Sequence, residues 1–453
     1  MARSVNRLGA RAVVMGAGIG GLTAAAAVAP FFDHITVLDG DELPEKAETR
    51  KAVAQGQHLH TLLKGGELFI EDLLPGTRAK FLAAGACEMN HDENFLICDR
   101  GHFYPQRDIG FSQLGLSRPV FEDVVRRQIK GIANVTIRDR TSVNSLIIEN
   151  GSLIGLRTSD GDKERVEKAD LFVLACGRNN FLAAALMRGG FGSVPATKLT
   201  IEVHYTTGRF AKPPRFKGES NFLICFPKPP EIALGLLTPI ENDEWIVTLG
   251  GRFDQRAPRD LEGFRAFASS LTATDIAERI CDATLLQPLC AYRMNSAIWY
   301  HYDRYKNLPR RLIPLGDCIS SFNPTFAQGM TVAAGHAVAL RDALARLGDA
   351  GELNCLADAY FPPAMKLTGQ AWNGAATVDM EYEQTSGERP SEHHKAVAWM
   401  EAMRRAARRH ADVQRLRMEI GHFLKPPSAS RDGPISKLIA EELTADPDSR
   451  PAR

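Results

Sequence analysis

Three glycines and an aspartate near the start of the chain have the spacing of a nucleotide-binding site. Gly16, Gly18 and Gly21 follow an apolar run at 12–15 that is typical of a β-strand, and a helical pattern begins within the glycines. The first glycine permits a tight turn, the second lets backbone approach a pyrophosphate, and the third lets the helix pack closely on the strand. Asp39 ends the second predicted strand, where a carboxylate accepts hydrogen bonds from an adenosine ribose and repels a 2′-phosphate. The site therefore fits FAD or NAD, whereas NADP does not fit it.

A second group of residues with ligand-binding character lies in the second half of the chain. A short apolar strand delivers Gly316 and Asp317, a loop carries Pro324, and Gly329 and Met330 open an alanine-rich helix. Asp317 at a strand end can accept hydrogen bonds from ribityl hydroxyl groups, and the amides at the helix start direct the helix dipole at a ligand. For an isoalloxazine ring, that target is the N1/C2 carbonyl edge, which becomes anionic on reduction. The alternative is an ordinary strand-loop-helix connection with a helix-capping aspartate.

The segment around Arg118 predicts the start of a helix with a free cation. Ser117 can cap this helix, Pro119 suits its first turn, and Glu122 with Arg126 has the spacing of an ion pair on the helix face. Arg118 is then available to contact a phosphate. The alternative is an ordinary surface arginine.

Residues 168–178 form a fourth element, with the pattern of a fully buried parallel strand that ends in a glycine turn. In this order and spacing, the four elements resemble the class A flavoprotein monooxygenases, which include para-hydroxybenzoate hydroxylase, over roughly residues 10–345. Segments 55–60 and 322–330 look like the branch of polyketide- and terpenoid-tailoring oxygenases and polyether epoxidases. The resemblance implies an α/β fold, in which a glutathione-reductase-type FAD-binding Rossmann domain carries an inserted mixed β-sheet substrate domain and C-terminal helices.

The resemblance also implies roles and an activity. Asp39 would hold the adenosine ribose, Arg118 would lie beside the FAD phosphates, and Asp317 would contact the ribityl chain and pyrophosphate. The implied enzyme is an FAD-dependent monooxygenase that uses dioxygen to hydroxylate or epoxidise a lipophilic secondary metabolite of polyketide or terpenoid type, through a flavin C4a-hydroperoxide. Two alternatives stay open: an FAD-dependent reductase, dehydrogenase or oxidase of related fold, such as a prenyl-chain reductase, and a non-catalytic FAD-binding protein.

Few side chains suggest themselves as catalytic, because a flavin carries the difficult chemistry itself. His58 and His60 lie in a loop that the resemblance places near the isoalloxazine, where they can hydrogen-bond to substrate or flavin. The alternative is one packed and one solvated histidine. Arg293 and Tyr292, which return from the substrate domain toward the flavin, are further candidates.

One departure from the family concerns the source of electrons. Many NADPH-using hydroxylases have Asp-Gly at the end of the strand where this chain has Cys176, Gly177 and Arg178. Electrons are therefore expected either from NAD(P)H bound transiently on the substrate side, or from reduced flavin or a separate reductase. The Trp-x-Trp-x-x-Pro motif of flavin-dependent halogenases is absent, because no two of the four tryptophans are close in the chain. Halogenation is accordingly disfavoured.

Composition excludes several other classes of function. A chain of 453 residues with 44% hydrophobic content can bury a large core and suggests about three domain-sized units. The net charge of +1 argues against dedicated nucleic-acid binding. Eight cysteines without CxxC or Cys/His spacing predict reduced, mostly buried thiols and no metal site. No apolar run has membrane-spanning length, and the glycines in the N-terminal apolar stretch disfavour a signal peptide, so a cytoplasmic location is expected.

Changes in the pattern of predicted strands and helices along the chain indicate its division into domains. Three segments are expected to form the FAD-binding domain and two the substrate domain, and the last is expected to form C-terminal helices with a flexible tail. In that order, the segments are 1–92, 116–193 and 295–384; 93–115 and 194–294; and 385–453.

The C-terminal segment has an amphipathic helical pattern, with apolar residues at intervals of three and four opposite an arginine-rich face. This pattern favours helices that cover the active site or a partner. The alternative is a membrane-surface helix that delivers a lipophilic substrate by peripheral contact. The apolar face comprises Trp399, Met403, Ala406, Val413, Leu416, Ile420 and Phe423, and the basic face comprises Arg404, Arg405, Arg408, Arg409, Arg415 and Arg417.

Overall fold

The computed structural model describes residues 7–50, 54–178, 181–348 and 350–444. These residues form a parallel sheet with its helices, a large mixed sheet, two small antiparallel sheets and a helical C-terminal segment. The architecture agrees with the predicted α/β class, because a Rossmann-type parallel sheet and a separate mixed sheet are both present.

The parallel sheet contains five strands, all paired in parallel, in the order β18-β11-β1-β2-β7. The four residues of β11 are fully buried, as expected for a strand that is covered on both faces. The carboxyl ends of neighbouring parallel strands meet at one edge, which brings residues following β1, β11 and β18 together. The strands are β1 (Gly9–Met15), β2 (Phe32–Leu38), β7 (Val135–Arg138), β11 (Leu171–Leu174) and β18 (Leu312–Pro314).

Seven helices pack their apolar side chains into one core with the parallel sheet. The alanine-rich helix α1 is buried on almost every side, because it lies between β1 and the long helix α8. The helices are α1 (Ile19–Val28), α2 (Lys64–Leu73), α3 (Thr77–Ala83), α4 (Arg118–Lys130), α5 (Phe181–Arg188), α8 (Gly329–Leu344) and α9 (Leu356–Asp379).

The described residues also form two small antiparallel sheets. One pairs β3 (Cys87–Asn90) with β6 (Ser112–Gly115). The other has the order β10-β9-β8 and follows the chain as a meander. Its strands are β8 (Ser142–Glu149), β9 (Ser152–Asp160) and β10 (Lys163–Lys168).

The nine-stranded mixed sheet, here called the platform, takes strands from three separate parts of the chain. Its order is β19-β17-β12-β15-β14-β13-β4-β5, with β16 paired to β12. The β4–β13 pair is parallel and the other pairs are antiparallel. The strands are β4 (Phe95–Asp99), β5 (His102–Phe103), β12 (Ala196–Ala211), β13 (Phe222–Phe226), β14 (Leu234–Ile240), β15 (Glu244–Arg252), β16 (Thr284–Leu285), β17 (Cys290–Tyr300) and β19 (Ser320–Ser321).

The two faces of the platform pack against different helices. On one face, Phe210 and Trp245 form a core with α6 (Leu261–Ser269) and α7 (Asp275–Ile280). On the other face, alternate residues of β4 and β13 contact the C-terminal helices, while β12 and β17 pack against α8 and α9. This alternation places Tyr205 of β12 and Tyr292 of β17 on the face toward those helices.

The C-terminal segment forms three helices, α10 (His393–Arg409), α11 (Ala411–Gly421) and α12 (Gly433–Thr444). Its apolar residues, including Met403 and Leu416, share a core with Phe95 of the platform. The apolar face is therefore buried against this chain's own sheet. Within the described ranges, no helix is long and apolar enough to cross a bilayer. Of the last dozen residues, which were predicted to be flexible, 442–444 instead belong to α12, and 445–453 lie outside the described residues.

The basic face of these helices is largely engaged in ion pairs. Arg417 Nη2 lies 2.8 Å from Asp99 Oδ2, and Arg404, which is 5% exposed, has its Nε 3.4 Å from the same oxygen. Arg409 Nη1 lies 2.6 Å from a carboxylate oxygen of Glu442. Because Asp99 ends β4, its charge holds α10 and α11 on the edge of the platform.

The cysteines are all free thiols, but fewer are buried than predicted. Cys98, Cys225 and Cys318 are buried, whereas Cys281 and Cys355 are exposed and the other three are half-buried. The prediction of mostly buried thiols is wrong because several cysteines stand at the ends of elements rather than inside them.

Candidate active site

The glycine loop after β1 has the geometry predicted for it. Gly16 has a φ of +103°, and a Cβ there would lie 2.4 Å from the carbonyl oxygen of Ala175. A Cβ at Gly21 would lie 1.7 Å from the carbonyl oxygen of Gly16, so only glycine lets α1 pack this closely. At Gly18, by contrast, the nearest described atom to a Cβ would be Arg50 Nη2, at 3.7 Å. The loop is closed toward the sheet and open above Gly18, as pyrophosphate binding requires.

Asp39 follows β2 and is held by several donors. Its Oδ2 accepts hydrogen bonds from the backbone N–H of Ala17 at 2.6 Å and from Arg50 Nη1 at 3.2 Å, and its Oδ1 accepts from the N–H of Asp41 at 2.9 Å. Arg50 is buried and also donates from Nε to Glu122 Oε2 at 3.0 Å. Sequence reasoning missed Arg50, because no spacing rule connects it to the glycine loop or to α4.

The start of α4 differs from the prediction in its ion pairs. Arg118 is the first residue of α4, but its Nη2 lies 2.7 Å from Glu122 Oε1 and is not free. Arg126 pairs with Asp123 at 3.2 Å, so the predicted pair of Glu122 with Arg126 is wrong. The guanidinium groups of Arg118 and Arg50 outweigh burial and lower the pKa of Glu122. Glu122 turns toward these two cations because they occupy the buried side of α4.

The predicted capping by Ser117 is also wrong. Ser117 does precede α4 and has extended backbone, but its side chain makes no capping hydrogen bond. Its hydroxyl is buried without a partner among the described residues, while its backbone N–H donates to Glu241 Oε2 at 2.9 Å. Pro119 lies in the first turn, as predicted.

The second corner follows β18 and contains Asp317 in a 3₁₀ turn, Gly316–Cys318. Asp317 is half-buried, and a Cβ at Gly329 would lie 3.6 Å from its Oδ1. Its ion pair is long, with Arg178 Nε at 3.9 Å from Oδ2. Burial raises the pKa of Asp317, against the opposing charges of Arg178 and Arg118. The corner thus holds a carboxylate at the start of α8 that is weakly compensated by its neighbours.

The loop between β19 and α8 is fixed by Asn323. Its Oδ1 accepts hydrogen bonds from the backbone and hydroxyl of Thr325, and its Nδ2 donates to Asp379 Oδ1 at 2.8 Å. Arg252 Nη2 lies 2.7 Å from the same oxygen, so a buried network joins this loop to α9 and the platform. Pro324 begins the next 3₁₀ turn. Sequence reasoning did not single out Asn323, whose partners are distant in the chain.

The structure brings the glycine loop and the second corner together. A Cβ at Gly20 would lie 3.2 Å from the Leu315 side chain and 3.6 Å from Ala333 Cβ, which places α1 against the start of α8. Met330 follows Gly329 in the first turn of α8. The cofactor-site candidates, from Gly16 to Met330, therefore lie along one edge of the parallel sheet.

His58 is buried in an aromatic site on the platform. Its ring packs edge-on to Tyr205 and Tyr292, with centroids 5.0 and 5.4 Å away. Nδ1 shares a 2.8 Å hydrogen bond with the hydroxyl of Thr207, and Nε2 lies 4.0 Å from the sulfur of Cys290. Burial lowers the pKa of His58 to about 4, so the ring is neutral at pH 7. A neutral imidazole at this position can donate or accept a hydrogen bond with a ligand, but it cannot form an ion pair.

His60 lines a separate small cavity. Its Nδ1 contacts the carbonyl oxygen of His58 at 2.9 Å, and burial together with the charge of Arg118 lowers its pKa to about 3. Neither histidine is fully solvated, because both belong to the loop that enters the space between the domains. The cavity is lined by Leu62, Glu67, Phe81, Leu114, Leu116, Phe121, Arg118 and Met330 besides His60.

The structure separates Arg293 from the other candidates. Arg293 is exposed and pairs in register with His204, whereas the adjacent Tyr292 faces His58. Arg178 instead enters the site, since its guanidinium lies 5.5 Å from the Tyr292 ring centroid and hydrogen-bonds to Gln55. The glycine turn after β11 thus delivers a cation, Arg178, to this site.

The donor set fits FAD. The open backbone above Gly18 suits a pyrophosphate, and Asp39 at the end of β2 suits an adenosine ribose. Asp317 suits ribityl hydroxyl groups, and the buried Gln328 Oε1, just before α8, has no hydrogen-bond partner within the described residues. These groups run along one edge, as an extended dinucleotide requires.

Comparisons with known proteins agree with this architecture. No family model matches the chain. Protein Rv3254 of Mycobacterium tuberculosis is 29% identical over 391 residues, which cover 83% of this chain and 81% of that protein.

Among solved structures, the chain is similar to PqsL, a probable FAD-dependent monooxygenase from Pseudomonas aeruginosa, with a TM-score of 0.63 and 18% identity over 83% of this chain and 97% of that one. It is also similar to 2-methyl-3-hydroxypyridine-5-carboxylic acid oxygenase, with a TM-score of 0.57 and 18% identity over 82% and 90%. The flavin-dependent brominase Bmp2 gives a TM-score of 0.56 and 15% identity over 95% and 92%. The predicted fold, a Rossmann-type FAD-binding domain with an inserted mixed sheet, is confirmed.

Proposed function

We propose that this chain is an FAD-dependent monooxygenase that hydroxylates or epoxidises a lipophilic small molecule of polyketide or terpenoid type. The observation that carries the proposal is the convergence of Gly18, Asp39, Asp317 and Gly329 on one sheet edge, which Arg178 connects to the aromatic site on the platform. The similarity to PqsL, a probable FAD-dependent monooxygenase, and to the pyridine-carboxylate oxygenase supports it.

In this proposal, one group of residues binds FAD and a second group orients the substrate. Gly18, Asp39 and Asp317 bind FAD, with Arg50 holding Asp39 in place and the N–H groups at the start of α8 directed at the ring. When bound, FAD supplies the activation of dioxygen, with electrons from NAD(P)H, from reduced flavin or from a partner reductase. His58 and Tyr205, with their neighbours, orient the substrate and exclude water.

The apolar and aromatic character of the platform site supports a lipophilic substrate. The platform face toward α8 and α9 carries Tyr205, Tyr292 and Met294, and the neighbouring His58 is uncharged at neutral pH. Such a site binds an apolar acceptor by burial of surface and orients it through few hydrogen bonds.

The decisive experiment uses isotope-labelled dioxygen. Purified protein should carry FAD, and candidate lipophilic substrates should gain one labelled oxygen atom when the enzyme is reduced and then exposed to the gas. A product that gains or loses only hydrogen assigns the chain to the reductases or dehydrogenases instead. Colourless protein that FAD cannot reconstitute contradicts both assignments.

The electron source is tested separately, in anaerobic stopped-flow measurements. Cys176 and Gly177 stand where many NADPH-using hydroxylases have Asp-Gly, so NADPH alone should reduce the flavin slowly and a reductase or dithionite should reduce it fast. Fast reduction by NADPH would remove the need for a partner reductase and leave the monooxygenase proposal intact.

A further inference from the structure

Two cysteines from distant parts of the chain meet beside the proposed FAD site. Cys176 follows β11, and Cys318 ends the 3₁₀ turn after the neighbouring parallel strand β18. Their sulfur atoms are 3.2 Å apart. Both are free thiols. A displacement of roughly 1 Å would bring the two sulfurs to bonding distance.

The pair connects the two corners of the cofactor site. A Cβ at Gly16 would lie 3.3 Å from the Cα of Cys176, and Asp317 directly precedes Cys318. The Cys318 thiol also lies 3.6 Å from the carbonyl oxygen of Gly177, to which it donates. A covalent bond between the two sulfurs would therefore tie the turn that carries Asp317 to the backbone beneath the glycine loop.

The two thiols differ in their access to solvent. Cys176 is half-buried and Cys318 is buried. The hydrogen bond with Cys176 and burial raise the pKa of the Cys318 thiol, which keeps it protonated. A diffusing oxidant therefore meets Cys176 first, and Cys318 is positioned to react with the oxidised sulfur.

We propose that Cys176 and Cys318 form a reversible disulfide that fastens the two corners together and slows the release of FAD. Hydrogen peroxide is the oxidant, which flavin oxidation uncoupled from substrate supplies, so this part rests on the proposed function. Peroxide converts the Cys176 thiol to a sulfenic acid and releases water. The Cys318 thiol then displaces the sulfenic oxygen as a second water, and the S–S bond forms. A dithiol such as dithiothreitol reverses the reaction by exchange.

The remaining cysteines supply internal controls. Cys98 and Cys225 are paired in register between β4 and β13, but both are buried, so peroxide should not reach them. Cys281 and Cys355 are exposed and should react with peroxide at any dose that oxidises Cys176.

The test treats the full-length, FAD-loaded protein with stepwise amounts of hydrogen peroxide, alkylates the remaining thiols and maps the peptides without reduction. The expected result is a linked peptide pair containing Cys176 and Cys318, which dithiothreitol separates, while Cys98 and Cys225 remain alkylated. Release of FAD after dilution of the protein into a large volume of buffer, followed by the fluorescence of the free flavin, should become several-fold slower after oxidation. Cys176→Ser and Cys318→Ser should each abolish the link and the slower release, whereas Cys355→Ser should retain both.

The disulfide is overturned if Cys318 is still alkylated at a dose of peroxide that oxidises Cys176, or if Cys176 is still a thiol once the exposed Cys281 and Cys355 are fully oxidised. A link that forms without slowing FAD release overturns the fastening role. Diamide applied to FAD-free protein separates the two proposals: failure to form the link there overturns the disulfide, even in an enzyme with oxygenase activity. A linked protein that never binds FAD contradicts the proposed function and the fastening role together.

Discussion

Each of the two corners of the cofactor site presents a carboxylate, but only one of the two carboxylates is fully hydrogen-bonded by the protein. Asp39 accepts hydrogen bonds from two backbone N–H groups and from Arg50. Asp317 has a 3.9 Å ion pair with Arg178, and burial raises its pKa. The first corner is thus organised by the protein alone, whereas the second holds a carboxylate whose burial a ligand's hydroxyl groups would compensate.

This difference shows how a long cofactor can be bound in two stages. A preorganised end fixes the nucleotide at little conformational cost. At the other end, ligand contacts contribute more binding free energy, because the buried carboxylate has few hydrogen-bond partners until the ligand supplies them.

The largest effect is expected at Gly21. Gly21→Ala would place a Cβ 1.7 Å from the carbonyl oxygen of Gly16, and should reduce the free energy of unfolding by about 3 kcal/mol or more. The matched control is Gly18→Ala, whose Cβ would meet no described atom closer than 3.7 Å. Denaturant unfolding of the FAD-free proteins measures both. Equal stability of the two variants would contradict the packing of α1 on β1.

Gly18→Val separates cofactor binding from folding. Its side chain would occupy the space above the loop, so the purified variant should lose FAD while its FAD-free form melts close to FAD-free wild type. At a FAD concentration about a hundredfold above the dissociation constant, wild type should gain roughly 2.7 kcal/mol that the variant lacks. Absorbance at the flavin band and thermal melting report the two effects. Full FAD content in this variant would place the pyrophosphate elsewhere.

Substitution of the two aspartates should change stability in opposite directions. Asp39→Asn breaks the ion pair with Arg50 and should cost FAD-free protein about 1–2 kcal/mol, since Arg50 keeps Glu122 as a partner. Asp317→Asn removes a carboxylate whose ionised form burial disfavours. It should stabilise FAD-free protein by on the order of 1 kcal/mol at pH 7 and weaken FAD binding about tenfold.

The pH dependence of the stability of Asp317→Asn, relative to wild type, tests the direction of the pKa shift at Asp317. A carboxyl group whose pKa is raised by folding favours the native state at low pH, and that contribution is lost as the pH rises through the folded-state pKa. The advantage of Asp317→Asn over wild type should therefore be present at pH 7 and vanish near pH 3. An advantage that grows toward low pH would contradict the direction of the shift.

The smallest effect is expected at the start of α8. Gly329→Pro removes one N–H donor at the first position of the helix and disfavours the α conformation of Gln328 before it, which should distort the loop. The variant should bind FAD with a lower reduction potential, by the equivalent of about 0.3–1 kcal/mol, because less positive dipole faces the reduced ring. Spectroelectrochemical titration measures it. An unchanged potential in FAD-loaded protein would direct the helix away from the flavin.

Local patterns were sufficient to predict the parts of the site that depend on backbone geometry. Gly16, Gly21 and Asp39 lie where the spacing rules place them, because those rules describe one continuous strand-turn-helix unit. Alternating apolar residues from Leu199 to Tyr205 likewise indicate the strand β12.

Contacts between distant residues could not be predicted in the same way. Helical spacing favoured Glu122 with Arg126, but the buried Arg50, far away in the chain, takes part of the carboxylate and changes the pairing. Asn323 similarly depends on Asp379. Such partners follow from the tertiary fold, which a single sequence does not encode in short-range spacing.

The discontinuous make-up of the sheets determines the order in which the chain can fold during synthesis. Strand β4 pairs with β13, and the first strand of the parallel sheet has β11 as its neighbour, which in turn needs β18, ending at Pro314. At about 5–20 residues per second, a ribosome leaves the early strands with open edges for tens of seconds. Because unpaired edges promote aggregation, we expect the nascent chain to require protection until both sheets close almost together, and a fragment cut at 194–294 to lack the strands that close the platform.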